Sequence, residues 1–181
     1  MKIPLKTKIA FWWWRKLQYK KPANLLQKIS VNSNGISPLL FILPQDRTHL
    51  AIALHFLKTL TEQGHLDIIE QIIGLREHKD SINPELSIKM QYIDETDINR
   101  YGLLTTNALK RLTESKFESV INLDPESGPI SMQLVSAYNA KIRIGFGSDR
   151  VRDVYNISIE NDHSNNYVEK GYKYIIEVLG L

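Results

Sequence analysis

The sequence predicts an α/β domain with an open, mostly parallel sheet and helices on both faces. Two observations predict it. From Leu39 onward, short apolar runs of strand length alternate with longer stretches at helical spacing. The first of these runs, "LLFIL", is apolar at every position, the pattern of a strand covered on both faces. The bulk numbers fit. The chain of 181 residues suffices for one domain with a real core, and its 43% hydrophobic and 24% charged content is that of a soluble globular protein.

The elements follow in order. "KTKIAFWWWRKLQYKKP" forms a few turns of helix before Pro22. Val31–Pro38, rich in Asn, Ser, Gly and Pro, reads as a loop. Leu39–Leu43 is the first strand. Arg47–Gln63 is a helix with Leu50, Ala53, Leu54, Leu57 and Leu60 at helical spacing and Gly64 at its stop. Asp67–Gly74 is a strand. Glu85–Asp94 alternates, as a half-exposed strand or one near a sheet edge does. A helix over Leu103–Glu114 precedes the strand Ser119–Leu123. A helix from about Pro129 to Tyr138 leads to the strand Lys141–Phe146. Tyr155–Ile159 is a last short strand. Asn165–Leu179 is the closing helix, with Tyr167, Tyr174, Ile175 and Val178 as its apolar stripe and Gly180 at its end. The chain thus divides into a basic, Trp-rich arm over residues 1–35 and an α/β domain over residues 36–181.

Charge is unevenly spread. Between Met1 and Lys28 stand eight Lys or Arg and no acid, whereas acids slightly outnumber bases from Arg47 on. Trp12, Trp13 and Trp14 beside Arg15 and Lys16 suit the headgroup layer of a membrane, where rings bury and charges stay wet. The alternative is an arm whose aromatics pack on this domain or on a partner. No apolar run is long enough to span a bilayer, and Ile9–Trp14 runs into Arg15-Lys16 with no small-residue cleavage site after it. These features read as a cytoplasmic protein, docking at the inner face of the membrane if the arm binds lipid.

In open α/β sheets ligands bind at the carboxyl ends of the strands. Two loops lie there, "LPQDRTHL" and "LDPESGPI". In the first, Asp46 has two readings: a helix N-cap, which explains it more simply, or a general base facing the crevice. Gln45 sits beside it, and Arg47 and His49 are placed to hold an anionic group at the helix N-terminus. In the second loop Pro129 suits a first helical turn and Ser127 or Gly128 its cap. Asp124 and Glu126 are then surplus acids, hydrogen-bonding sugar hydroxyls together with Ser127 or simply solvated.

Several signatures are missing. No GxGxxG follows the first strand and no GxxxxGK[ST] occurs, which argues against a Rossmann dehydrogenase and a P-loop NTPase. "GFG" (Gly145–Gly147) is too short to be a nucleotide loop. With no cysteine and five scattered histidines, no metal site is visible and no cofactor is implied. The acids of the main domain speak against a simple nucleic-acid binder outside the N-terminal arm, and no nucleic-acid partner is expected.

"FESVINLDPESGPISMQLVSAYNAKIRIGF" resembles the acceptor-side half of glycosyltransferase family 9, the heptosyltransferases of lipopolysaccharide assembly. The likeness rests on a strand ending in an acidic element, a helix, and the closing Ala140, Arg143, Ile144, Gly145 and Phe146. Tyr167–Leu181 is similar to the helix that ends the family's N-terminal domain. "LLFILPQDRTHLAIALHFLKTL" falls where the family has its first strand and a Gly-Asp loop, with Gln45 in place of that glycine. The resemblance covers most of the chain after Ser37. It implies a single Rossmann-like domain, half of a GT-B architecture, with Asp46 at the position of the catalytic base.

The donor-binding half is expected to be missing, and catalysis needs both reactants held. The leading expectation is therefore a stand-alone acceptor-side domain, not a complete transferase, that binds a sugar, a glycolipid or a partner chain. The alternatives are a cell-envelope glycosyltransferase completed by a partner or homo-oligomer, and a non-catalytic scaffold.

Overall fold

The computed structural model describes residues 4–18, 38–147, 154–160 and 166–181. Six strands form one sheet in the order β3-β2-β1-β4-β5-β6. They are β1 (Leu39–Ile42), β2 (Ile69–Leu75), β3 (Met90–Ile93), β4 (Ser119–Asn122), β5 (Ile142–Gly147) and β6 (Ile157–Glu160). Every pairing is parallel. The two central strands, β1 and β4, are buried at each position, as strands covered on both faces must be.

The helices are α1 (Leu5–Gln18), α2 (Arg47–Glu62), α3 (Pro84–Ser87), α4 (Thr106–Leu112), α5 (Pro129–Ala137) and α6 (Tyr167–Leu179). They split the core in two. One cluster joins Phe41, Phe56, Leu57, Phe146 and Tyr172 beneath α2 and α6. The other joins Leu40, Ile42, Leu112, Leu134 and Tyr155 beneath α4 and α5. The chain is thus a single Rossmann-like α/β domain.

The third strand and the closing helix differ from the sequence reading. The expected strand over Glu85–Asp94 begins instead as α3, because Pro84 opens a helical turn and the Asn83 side chain accepts from the Glu85 N–H at 3.1 Å. Only Met90–Ile93 is strand, and it lies at the sheet edge. In α6 the face against the sheet is Val168, Gly171, Tyr172 and Ile175, whereas Tyr174 is exposed. Helix α4 starts at Thr106, not Leu103, since the Thr105 hydroxyl caps the Ala108 N–H. All of the predicted loop Val31–Pro38 except Pro38, and the predicted first residue of the closing helix, Asn165, lie outside the described residues.

Helix α5 is buried from Ile130 through Ser136, the mark of a helix covered on every side. Helix α4 packs on one flank and α1 on another. Phe11 of α1 packs against the apolar cluster around α5, and Thr7 lies against the left-handed turn at Gly102, where φ is +74°. Part of the N-terminal arm is therefore a layer of the domain.

Candidate functional site

The chain leaves β1 through α2 on one face of the sheet and leaves β4 through α5 on the other. Adjacent strands whose exits diverge open a crevice at their carboxyl ends. Here it holds a pocket of about 380 Å³, lined by Gln45 and Asp46 from the first loop and by Asp124, Glu126 and Gly128 from the second. Lys6 and Thr7 of α1 and Arg100 of the β3–α4 connection also line it, and Ile98, Pro129 and Ile130 form an apolar side.

At both helix N-termini of this crevice stands one of the chain's own carboxylates. Asp46 Oδ1 accepts from the Thr48 and His49 N–H groups at 3.0 and 3.2 Å. These bonds hold its carboxyl below the ordinary value. The His49 N–H is the largest cause, opposed by partial burial and helped by the Thr48 N–H. Asp46 is thus the N-cap of α2.

At α5, Asp124 is buried, and its Oδ2 accepts from the Gly128 N–H at 2.8 Å and the Ser131 hydroxyl at 2.7 Å. Its Oδ1 accepts from the Glu126 N–H at 3.1 Å. Pro129 carries no N–H to leave open. Asp124 is therefore not a surplus acid. It ties the loop to the helix, and no cap bond comes from the Gly128 position itself.

Gln45 is held differently. Its carbonyl is bonded to Nε2 of the buried His78 at 3.1 Å, which pins the loop to the β2–α3 connection. Its side-chain Nε2 is enclosed without a hydrogen-bond partner among the described residues. A Cβ built on Gly128 would lie 4.0 Å from both amide atoms of Gln45, so the two loops meet at this glycine.

The remaining sequence candidates scatter. Arg47 is exposed and faces a separate hollow shared with Glu77 and His78. His49 is half-buried, its Nδ1 3.5 Å from Asp46 Oδ1, and it is not part of the crevice wall. Ser127 adopts φ 46° and donates its hydroxyl to the Phe146 carbonyl at 2.7 Å, so it braces β5. Glu126 stays exposed at the rim. Lys6 and Arg100 were missed by sequence reasoning. Lys6 was absorbed into a basic arm, and Arg100 sits in a loop with no motif.

Arg143 and Gly145 of the "RIGF" element serve the fold. The buried Arg143 donates to the Tyr138 carbonyl at 2.7 Å, and Gly145 lies under the Tyr155 ring.

A larger hollow of about 570 Å³ lies at the ends of β2 and β3, but it is away from the strand exits that diverge, and its Arg76 and Asp94 are paired with each other. Among the described residues no group of His, Asp and Glu is placed to hold a metal ion, and no helix is long and apolar enough to cross a membrane.

No curated protein and no solved structure matches the chain. Residues 13–176, nearly the whole of the domain, match the family model described as "Family of unknown function (DUF6913)". The chain therefore belongs to the DUF6913 family.

Proposed function

We propose that this protein is a binding domain for a neutral, hydroxylated ligand, a sugar or the sugar headgroup of a glycolipid, held in the crevice between the β1 and β4 exits. The observation that carries this reading is the carboxylate that the chain itself sets at each of the two helix N-termini. A nucleotide or phosphate site needs open N–H groups at a helix N-terminus. Here Asp46 takes the Thr48 and His49 N–H groups of α2, Asp124 takes the Gly128 N–H just ahead of α5, and both place negative charge at the helix ends. The crevice disfavours an anion at both helix ends.

The side chains around it suit hydroxyl groups. Carboxylates accept from them, and the Gln45 amide is an enclosed donor that lacks a partner among the described residues. Rotation of the Gln45 side chain into the crevice would let a sugar hydroxyl satisfy that donor. The resemblance to the acceptor side of glycosyltransferase family 9 points to the same class of ligand.

The reading is of binding and not of complete transfer. A general base works best with its pKa near the working pH. The Asp46 carboxyl is moved the other way by its cap bonds, which makes it a weaker base. A transferase completed by a partner chain would have to bring its own base or break this cap.

A thermal-shift and calorimetric titration of the full chain tests the proposal. Neutral sugars and glycolipid headgroups should stabilise it, and Gln45→Leu should weaken that binding. Free nucleoside diphosphates should give no shift. Binding of the nucleotide alone, unaffected by Gln45→Leu, would overturn the reading.

A further inference from the structure

Helix α1 has two unlike faces. Thr7, Phe11 and Trp14 turn toward the domain, with Trp14 stacked on Phe11 at 5.7 Å. Trp14 is half-buried with its Nε1 enclosed, so of the two readings of the arm it follows packing on the domain. The opposite face carries Leu5, Ile9, Trp12 and Trp13, which are 73%, 52%, 55% and 51% exposed. Their spacing places them along one side of a helix. Leu17, 75% exposed, extends the patch toward the end of α1.

This face is apolar and cationic at once. Lys16 lies within it, its Nζ 5.4 Å from the Trp12 ring centroid and 5.9 Å from that of Trp13. Lys6 and Lys8 are exposed on the same helix, and α1 contains no acidic residue. We propose that α1 docks the protein flat on an anionic lipid bilayer, with Trp12, Trp13, Leu5 and Ile9 in the headgroup–acyl boundary and the lysines among the lipid phosphates.

The lysine at the centre of the patch decides between lipid and protein. Protein interface cores are depleted in lysine, because its ammonium would be stripped of water there. At a bilayer surface the same chain lays its methylenes along the rings and lifts its charge to the phosphates. The short, wholly basic helix also supplies the second signal that weak apolar insertion needs. This inference rests on α1 alone and is independent of the crevice ligand. The first turn of α1 also lines the crevice, so docking would hold the crevice at the lipid–water boundary.

The chain's three tryptophans are all in α1, so its indole fluorescence reports this helix alone. The full chain is mixed with vesicles of phosphatidylcholine alone, or of equal parts phosphatidylcholine and phosphatidylglycerol. Binding is followed by co-sedimentation and by the emission maximum. The expected result is co-sedimentation and a blue shift with the anionic vesicles only, weakened by added salt.

The double variant Trp12→Ser, Trp13→Ser should lower the partition about tenfold or more, since two ring insertions are lost. Its melting should be unchanged, because both rings are exposed. Lys16→Glu should also weaken binding. Failure to bind the anionic vesicles, or equal binding by the double variant, would overturn the proposal. So would a dimer in sedimentation velocity that the double variant abolishes, which would assign the face to a second copy of the chain.

Discussion

Gly145 lies flat beneath the ring of Tyr155, and a Cβ on that glycine would overlap the ring's Cε1 and Cζ atoms. The same phenol accepts from the Asn122 side-chain amide at 2.7 Å and stands 3.2 Å from the Ser127 hydroxyl. A β5 glycine, a β4 amide and the β4–α5 loop are thus joined through one ring below the crevice. Gly145→Ala should destabilise by about 1–3 kcal/mol, the cost of overfilling a packed core. Thermal melting checks it, and Tyr155→Leu should recover part of the loss in the double variant.

Burial is the main cause that pushes the Tyr155 phenol up to about 12, against the lowering effect of its Ser127 and Asn122 hydrogen bonds. A raised value means that the neutral phenol is favoured in the fold. Its contribution is complete below the ordinary value of 10.0 and lost as pH rises through about 12. Alkaline unfolding should therefore steepen in that window, and Tyr155→Phe should flatten it. Denaturant melts across the window provide the check.

Asp124 and Glu126 are both acidic and stand two positions apart, but they differ in consequence. Asp124→Ala leaves the Gly128 and Glu126 N–H groups and the Ser131 hydroxyl without their acceptor. It should cost about 2–4 kcal/mol, as loss of a buried charged acceptor does. Glu126→Ala, at an exposed rim position, should stay within about 0.5 kcal/mol. Equal effects of the two in urea melts would contradict the structural role given to Asp124.

Asp46→Ala should cost about 0.5–2 kcal/mol through loss of the α2 cap, and Asp46→Asn much less, because asparagine caps as well. The Asp46 carboxyl is depressed in the fold, so its stabilisation is full above the ordinary value of 3.8 and fades as pH falls through the lower folded value. The gap between wild type and Asp46→Ala should narrow in acid. A gap unchanged down to strong acid would mean that the ionised cap contributes little.

The fold was legible because its signals are strong and local. "LLFIL" has the length and the unbroken apolar pattern of a strand covered on both faces, and Gly64 and Gly180 end their helices with φ of 85° and 70°. The edge region was harder to read. An alternating "ELSIKMQYID" hides a proline-started helical turn, and only the Asn83-Pro84 pair signals it. The site was half legible. Position in the fold brought Gln45, Asp46, Asp124 and Glu126 to one crevice. What each does there depended on bonds to backbone N–H groups, which sequence spacing does not reveal. Lys6 and Thr7 reach the crevice only because α1 packs on α5, a contact between elements far apart in the chain.

The most direct test of the central claim is a two-dimensional amide NMR titration of the full chain, first with a neutral sugar panel and then with a nucleoside diphosphate. The account predicts that a sugar moves the Gln45 side-chain amide and the backbone signals of Gly102 and Gly128 together, while the nucleotide moves none of them. Shifts confined to other strands, or a nucleotide response at Thr48, His49 and Gly128, would contradict it.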